Sequence, residues 1–178
     1  MIDRKNPSGA EEIIISGKNE KIEIFLDDRA DGSREYNLDI FVRGENSVVS
    51  VKGRMDGKNK DKKKWNISLF LEGKNQSAIL DLKGVAEEQS FIEFDGGGII
   101  KTSSENGQIQ VSEKIYLFSG NAKAKAIPVL RVETENVLSA SHSASISPFN
   151  EELFFFLESR GIPREEGKYL LKKGILGE

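Results

Sequence analysis

Two stretches of this chain are near copies of one another. Tyr36-Asn37-Leu38-Asp39-Ile40-Phe41-Val42-Arg43-Gly44-Glu45-Asn46 aligns, 29 residues on, with Trp65-Asn66-Ile67-Ser68-Leu69-Phe70-Leu71-Glu72-Gly73-Lys74-Asn75. Aromatic, Asn, the apolar pattern, Gly and Asn all recur. The match continues loosely, with Val51-Lys52-Gly53 resembling Leu82-Lys83-Gly84 at an offset of 31. Both copies alternate with period two, which lets a strand bury one face. Both end in Gly and Asn, which accept positive φ cheaply. A repeat of about 30 residues made only of strands and turns predicts stacked coils, because one such unit cannot bury its own apolar face. One strong pair is too few to close a propeller. An ordinary antiparallel sandwich is the alternative.

The same alternation runs through much of the chain. Residues 21–26, 48–51, 78–82, 91–94, 108–111, 115–118 and 129–132 read as further strands. Gly- and Asn-rich breaks separate them, and Asp95-Gly96-Gly97-Gly98 reads as one of these turns. The fold class is therefore mainly β, a parallel β-helix over residues 1–148, with a helical segment over 149–178. After Pro148 the chemistry changes. Asn150 is a good N-cap, and Glu151 and Glu152 suit the helix dipole. Leu153 to Leu157 give a short apolar helix ending near Gly161. A second helix begins around Pro163, with Tyr169, Leu170 and Ile175 as its apolar face. Gly167 and Gly174 weaken it, so fraying of its last residues is expected.

Composition excludes several classes of function. The chain has no cysteine, hence no disulfide, no thiolate-bound zinc and no iron–sulfur cluster held by its own thiolates. Its net charge of −3 gives no electrostatic footprint for nucleic acid or acidic lipid. The polar start reads as no signal peptide, and no run is apolar enough for a membrane span. These features read together as a cytoplasmic protein.

Few side chains invite catalysis. His142 is the only histidine, within Ser139-Ala140-Ser141-His142-Ser143-Ala144-Ser145, and a lone histidine is usually structural or simply exposed. The small residues around it allow another backbone to approach. Lys58 to Lys64 is a basic cluster, read as a solvated hairpin tip in preference to an anion patch. Adjacent carboxylates such as Asp27-Asp28 and Glu87-Glu88 point to opposite faces of a strand and form no acid/base dyad. Phe154, Phe155 and Phe156 cannot all face one core from a short helix. Either the helix lies between two layers, or a Phe is exposed to a partner, with Arg160 as an anchor at its rim or only a cap on the helix carbonyls.

From Ala126 onward the order of residues resembles the C-terminal signature of the SufB/SufD family. The resemblance is carried by Ala126-Ile127-Pro128-Val129-Leu130-Arg131-Val132, Asn136-Val137, Ser141-His142-Ser143-Ala144-Ser145 and Asn150-Glu151-Glu152-Leu153-Phe154-Phe155-Phe156-Leu157-Glu158-Ser159-Arg160-Gly161-Ile162-Pro163. It implies a right-handed parallel β-helix with a small C-terminal helical part. It also implies a scaffold subunit, not an enzyme, in iron–sulfur cluster assembly. Its partners would be a SufC-like ABC-type ATPase, bound through the helical part, and a SufB/SufD-like subunit or a second copy of the chain. His142 falls on the family's histidine at the subunit interface. Counting back from Pro128, the position of a SufB cysteine falls near Glu113. Where SufB has a glutamate after the histidine this chain has Ser143, and where SufD members often have a cysteine it has Ala140. The chain is thus more SufD-like and is expected to hold no stable cofactor, at most a transient cluster at a partner interface. Whether it ligates a metal stays open. A degenerate β-helix interaction module without a cluster role is the alternative, and a β-helix carbohydrate-active enzyme is disfavoured by the lack of facing carboxylates.

Overall fold

The computed structural model describes residues 1–177, and they form a β-solenoid of about five turns followed by two helices. Its strands are β1 (Ile2–Lys5), β2 (Gly9–Ile15), β3 (Lys21–Asp28), β4 (Arg34–Val42), β5 (Val48–Gly57), β6 (Lys62–Leu71), β7 (Ser77–Ala86), β8 (Phe91–Ile100), β9 (Gly107–Leu117), β10 (Lys123–Ala126), β11 (Val129–Val132) and β12 (Val137–Pro148). The helices are α1 (Glu151–Glu158) and α2 (Arg164–Leu176). One sheet runs β1-β3-β5-β7-β9-β12, and the facing sheet runs β10-β8-β6-β4-β2, with β11 also on β8. Every pairing is parallel. None of the described helices is long and apolar enough to cross a membrane.

The repeat seen in the sequence is the coil itself. Tyr36 pairs with Trp65, and Trp65 with Phe94, so each coil places an aromatic on the one before it. All three side chains point inward and are buried. The looser match at offset 31 is not the register: Val51 pairs with Leu80 and Gly53 with Leu82. The error is an even number of residues, so it leaves every side chain on its proper face. Gly53 and Gly84 look equivalent because each clears space for an aromatic, Trp65 and Phe94 respectively.

Two other readings are corrected. Asp95-Gly96-Gly97-Gly98 is no turn but the middle of β8. Gly96 and Gly98 face the interior, where a Cβ would collide with Glu113 and Ile109 of the facing sheet. Missing side chains, not backbone freedom, are what these glycines supply. The basic cluster is likewise only partly a solvated loop. Lys62 to Lys64 lie on β6, and Lys63 is fully buried, donating to Asp28 Oδ1 at 2.9 Å and to the carbonyls of Ala30 and Asp56 at 2.7 Å each.

The corners explain why coils stack in register. Asn19, Asn46, Asn75 and Asn106 all take positive φ, between 52° and 60°. The side-chain amides of Asn46, Asn75 and Asn106 each donate to the Asn one coil earlier, at 3.2, 3.0 and 3.1 Å. At the opposite corner Asn59 has φ 53°, and one coil later Glu88 occupies the same place with φ 55°. Glu lacks the local hydrogen bonding that eases Asn into this region. Glu88→Asn is therefore expected to stabilise the protein by about 0.5–1 kcal/mol, read as a higher denaturant midpoint at unchanged slope.

Candidate functional site at the end of the solenoid

The last coil is built differently from those below it. Pro128 carries no N–H, and it falls in the gap between β10 and β11, so β8 receives two short strands where its other neighbour supplies one long one. On the other side β12 carries the Ser/Ala run, and its register slips between Val137 and Ser139. β12 ends its sheet, and nearly all of its residues are exposed. Ala140, His142, Ala144 and Ile146 register on Ile109, Val111, Glu113 and Ile115, so they continue the interior rows of the solenoid at its open end.

His142 is exposed in this row. Its Nδ1 lies 3.2 Å from the Pro128 carbonyl, which can only accept, so Nδ1 carries the proton and Nε2 keeps the lone pair in the neutral ring. Glu113 lies one coil deeper, directly beneath Ala144. It is fully buried, and neither carboxylate oxygen has a hydrogen-bond partner. Burial pushes its carboxyl up to about 7, a shift that the nearby amides of Gly96 and Ile127 offset only in part and that the Asp95 charge reinforces. Strand spacing and rise put the Cα atoms of His142 and Glu113 about 8 Å apart. The two residues therefore share one face and one neighbourhood, but no hydrogen bond joins them. Among the described residues no three His, Asp or Glu side chains gather as a metal site.

The second cluster lies on the helices. Asn150 caps α1, accepting from the Glu152 amide at 2.9 Å. Phe154 is buried against Phe118 and Phe149, with ring centroids 6.0 and 5.1 Å away. Phe155 is 75% exposed and Phe156 50%. Arg160 stacks over the Phe156 ring, 4.2 Å from its centroid, while only its backbone amide reaches the Leu157 carbonyl. One Phe is thus core and two are surface.

α2 does not sit on the apolar face expected for it. Tyr169 and Leu170 are 57% and 44% exposed, and Gly167 and Leu176 are the buried positions. The helix is held by charge instead. Lys172 Nζ donates to Asp56 Oδ2 at 2.8 Å and also to Glu87, which Lys168 bonds as well. Burial alone would push Glu87 up, but the bonds from Lys168 and Lys172 outweigh it and hold the carboxyl below its usual range. Burial would likewise lower Lys172, and its two carboxylates raise it. The sequence held a signal for this clamp: Lys168 and Lys172 are four apart and share one helix face. The helix runs to Leu176 and ends on Gly177 at φ 73°.

Comparison with known proteins bears on this geometry. A family model described as SUF system FeS cluster assembly, SufBD core domain, matches residues 15–175. The chain is 24% identical over 160 residues to the iron–sulfur cluster assembly protein SufD of Bacillus subtilis, covering 90% of this chain and 36% of that protein. It is 24% identical over 147 residues to an iron–sulfur cluster assembly SufBD family protein of Pyrococcus horikoshii, covering 82% and 44%. A Mycobacterium leprae member is 35% identical over 69 residues, 39% of this chain and 17% of that protein. The chain thus spans less than half the length of these relatives.

Two outcomes follow from the charges. A raised carboxyl binds its proton more tightly in the folded than in the unfolded state, so Glu113 costs stability progressively as pH rises from its ordinary 4.5 through about 7. Glu113→Gln should stabilise the protein by on the order of 3 kcal/mol at pH 8 and by much less at pH 5, measured by denaturant melts at both pH values. Glu87 has the opposite sign. Its contribution is present above the ordinary carboxylate range and is lost as pH falls through its depressed value. Lys172→Met should cost about 2–3 kcal/mol locally. Amide exchange in α2 should then rise while β5, β7 and β9 stay protected.

Proposed function

The chain belongs to the SufBD family of the SUF iron–sulfur cluster assembly system, and we propose that it serves there as a non-catalytic scaffold subunit that docks a SufC-like ABC-type ATPase through α1 and α2. The observation that carries this reading is the division of labour on α1. Phe154 anchors the helix to the solenoid, the Lys172 clamp fixes its neighbour, and Phe155 is left 75% exposed beside the stacked Phe156–Arg160 pair. A rigidly held aromatic with an arginine at its side is the usual composition of an interface hot spot. β12 offers the second surface, for a SufB/SufD-like subunit or a second copy of the chain. There an unprotected edge and small side chains permit close approach. His142, with Glu113 one coil deeper beneath the neighbouring Ala144, is this chain's contribution to handling a transient cluster at that seam. The working compartment is the cytoplasm.

The lack of cysteine favours a second reading, an interaction module with no cluster role. The two part on iron. Reconstituted with SufB-like and SufC-like partners and a source of iron and sulfide, the first reading requires cluster yield to fall in His142→Ala, while the second predicts no change. The isolated chain should stay colourless in either case, because thiolates are the usual cluster ligands.

Docking is tested by affinity for the ATPase. Phe155→Ser should weaken binding about tenfold or more, since burying a phenylalanine contributes about 1.5–3 kcal/mol, while the melting curve of the chain itself stays put. Unchanged affinity would place the docking site elsewhere.

A further inference from the structure

Ion pairs between successive coils follow a rule over most of the surface. Arg43 meets Glu72, Lys74 meets Glu105 and Lys101 meets Glu133, each cation finding an anion one coil on. The row that begins Asp27-Arg54 departs from it. Arg54 registers on Lys83, and Lys83 on Lys114, so three cations stand side by side on the outer face of the first sheet. Among the described residues neither Lys83 nor Lys114 forms an ion pair with any carboxylate. Like charges directly opposite each other on neighbouring strands are destabilising.

The row borders a cleft of about 470 Å³ between this sheet face and the helix pair. Lys83 and Lys114 lie on one side, and Leu153, Leu170, Leu171 and Ile175 on the other. Leu153 and Leu170 remain 43% and 44% exposed, although they stand over a partly enclosed space. Gly174 of α2 also borders the cleft, and nothing lies within 4 Å of where its Cβ would be. The volume falls in the range of small-molecule sites, about 300–1,000 Å³, which are typically apolar walls with a few converging polar groups.

We propose that this cleft binds a small amphipathic carboxylate, its head accepting hydrogen bonds from both Lys83 and Lys114 and its aliphatic body lying along Leu153, Leu170, Leu171 and Ile175. The two ammonium groups stem from strands about 4.8 Å apart, close enough for one carboxylate to bond both. An anion there relieves the repulsion that the coil register builds in. The apolar wall gives the site a preference that a bare basic patch lacks. α2 forms part of the wall, so an occupied site also ties the helix pair to the sheet at a point away from the Lys172 clamp.

The test is a titration of the isotope-labelled full chain with decanoate, followed by amide chemical shifts, with decanol as the uncharged probe of equal length. The expected result is a saturable shift confined to β7, β9, α1 and α2, with decanol and the double variant Lys83→Gln/Lys114→Gln each binding at least tenfold more weakly. No saturable decanoate shift, or decanol matching decanoate on the native chain, overturns the proposal. The probe comparison needs no mutant. The lysines hold no other side chain in place and repel one another, so the double variant should melt no lower than the native chain. Decanoate binding it with native affinity also overturns the proposal.

Discussion

Everything in this molecule depends on each coil turning its corner in the same place as the last. A parallel ladder has no hairpin to set its register, so register must come from side chains and corners. Here it comes from an asparagine at positive φ in four successive coils. Its backbone N–H donates to the carbonyl one residue before the next coil's Asn, as Asn19 does to Glu45, Asn46 to Lys74 and Asn75 to Glu105. Its side chain bonds the Asn of the coil before. Asn106 still donates to the Asn136 carbonyl, but Asn136 lacks the positive φ and extends no side-chain ladder. Where the ladder stops, the last coil loosens, with β10 and β11 separated and the register of β12 slipping by one residue.

Inside the solenoid, stacking imposes volume matching row by row. The aromatic row of Tyr36, Trp65 and Phe94 is accommodated because Gly53 and Gly84 stand opposite on the facing sheet. The row Gly53-Leu82-Glu113-Ala144 meets Gly96 in the same way. A leucine at 113 would suit the apolar pattern of that row. A carboxyl there makes no structural pairing: no side chain bonds it, the Gly96 and Ile127 amides offset its burial only in part, and its ionised form is disfavoured. A group kept at a stability cost, at a site where the packing would accept an apolar side chain, is a mark of function in preference to architecture.

The solenoid was legible because its repeat is carried by types with single physical meanings: aromatic inward, asparagine at the corner, alternation between. Tyr36 and Trp65 fell together for that reason. β12 was not read as a strand, because Ser, Ala and His give no contrast between an inner and an outer face, and its ladder is made with β9. β1 and β2 were missed as well, β1 as a polar edge strand and β2 because its apolar residues come as a run, Ile13-Ile14-Ile15, without alternation. Gly96 and Gly98 misled because a glycine kept for missing bulk looks in sequence like one kept for positive φ. Lys63 misled because a run of lysines shows charge, not the Asp28 carboxylate and the carbonyls that wait for one of them. The family resemblance reached His142 and Glu113 by position. That Glu113 is sealed without a side-chain partner, and that α2 is fastened by the Lys172 ion pairs and by Leu176 and not by Tyr169 and Leu170, lies in tertiary packing beyond any local pattern.

The geometry of the open end constrains the joint role proposed for His142 and Glu113. His142 stands in the terminal interior row with no coil above it, while Glu113 is covered by Ala144 and by the facing Gly96. Nothing approaching from the outer face of either sheet reaches Glu113, because it points inward. An approach to it would run along the solenoid axis, past His142 and between Ala140 and Ala144, whose small side chains leave that end shallow. A partner coil stacked on β12 would extend the same interior rows and exclude water from His142. A ligand sharing both residues would then sit in the seam between two subunits, on the axis, and not in a pocket of either one. Small residues along β12 would serve the same end, since a bulkier row would hold the partner backbone away and leave Glu113 out of reach.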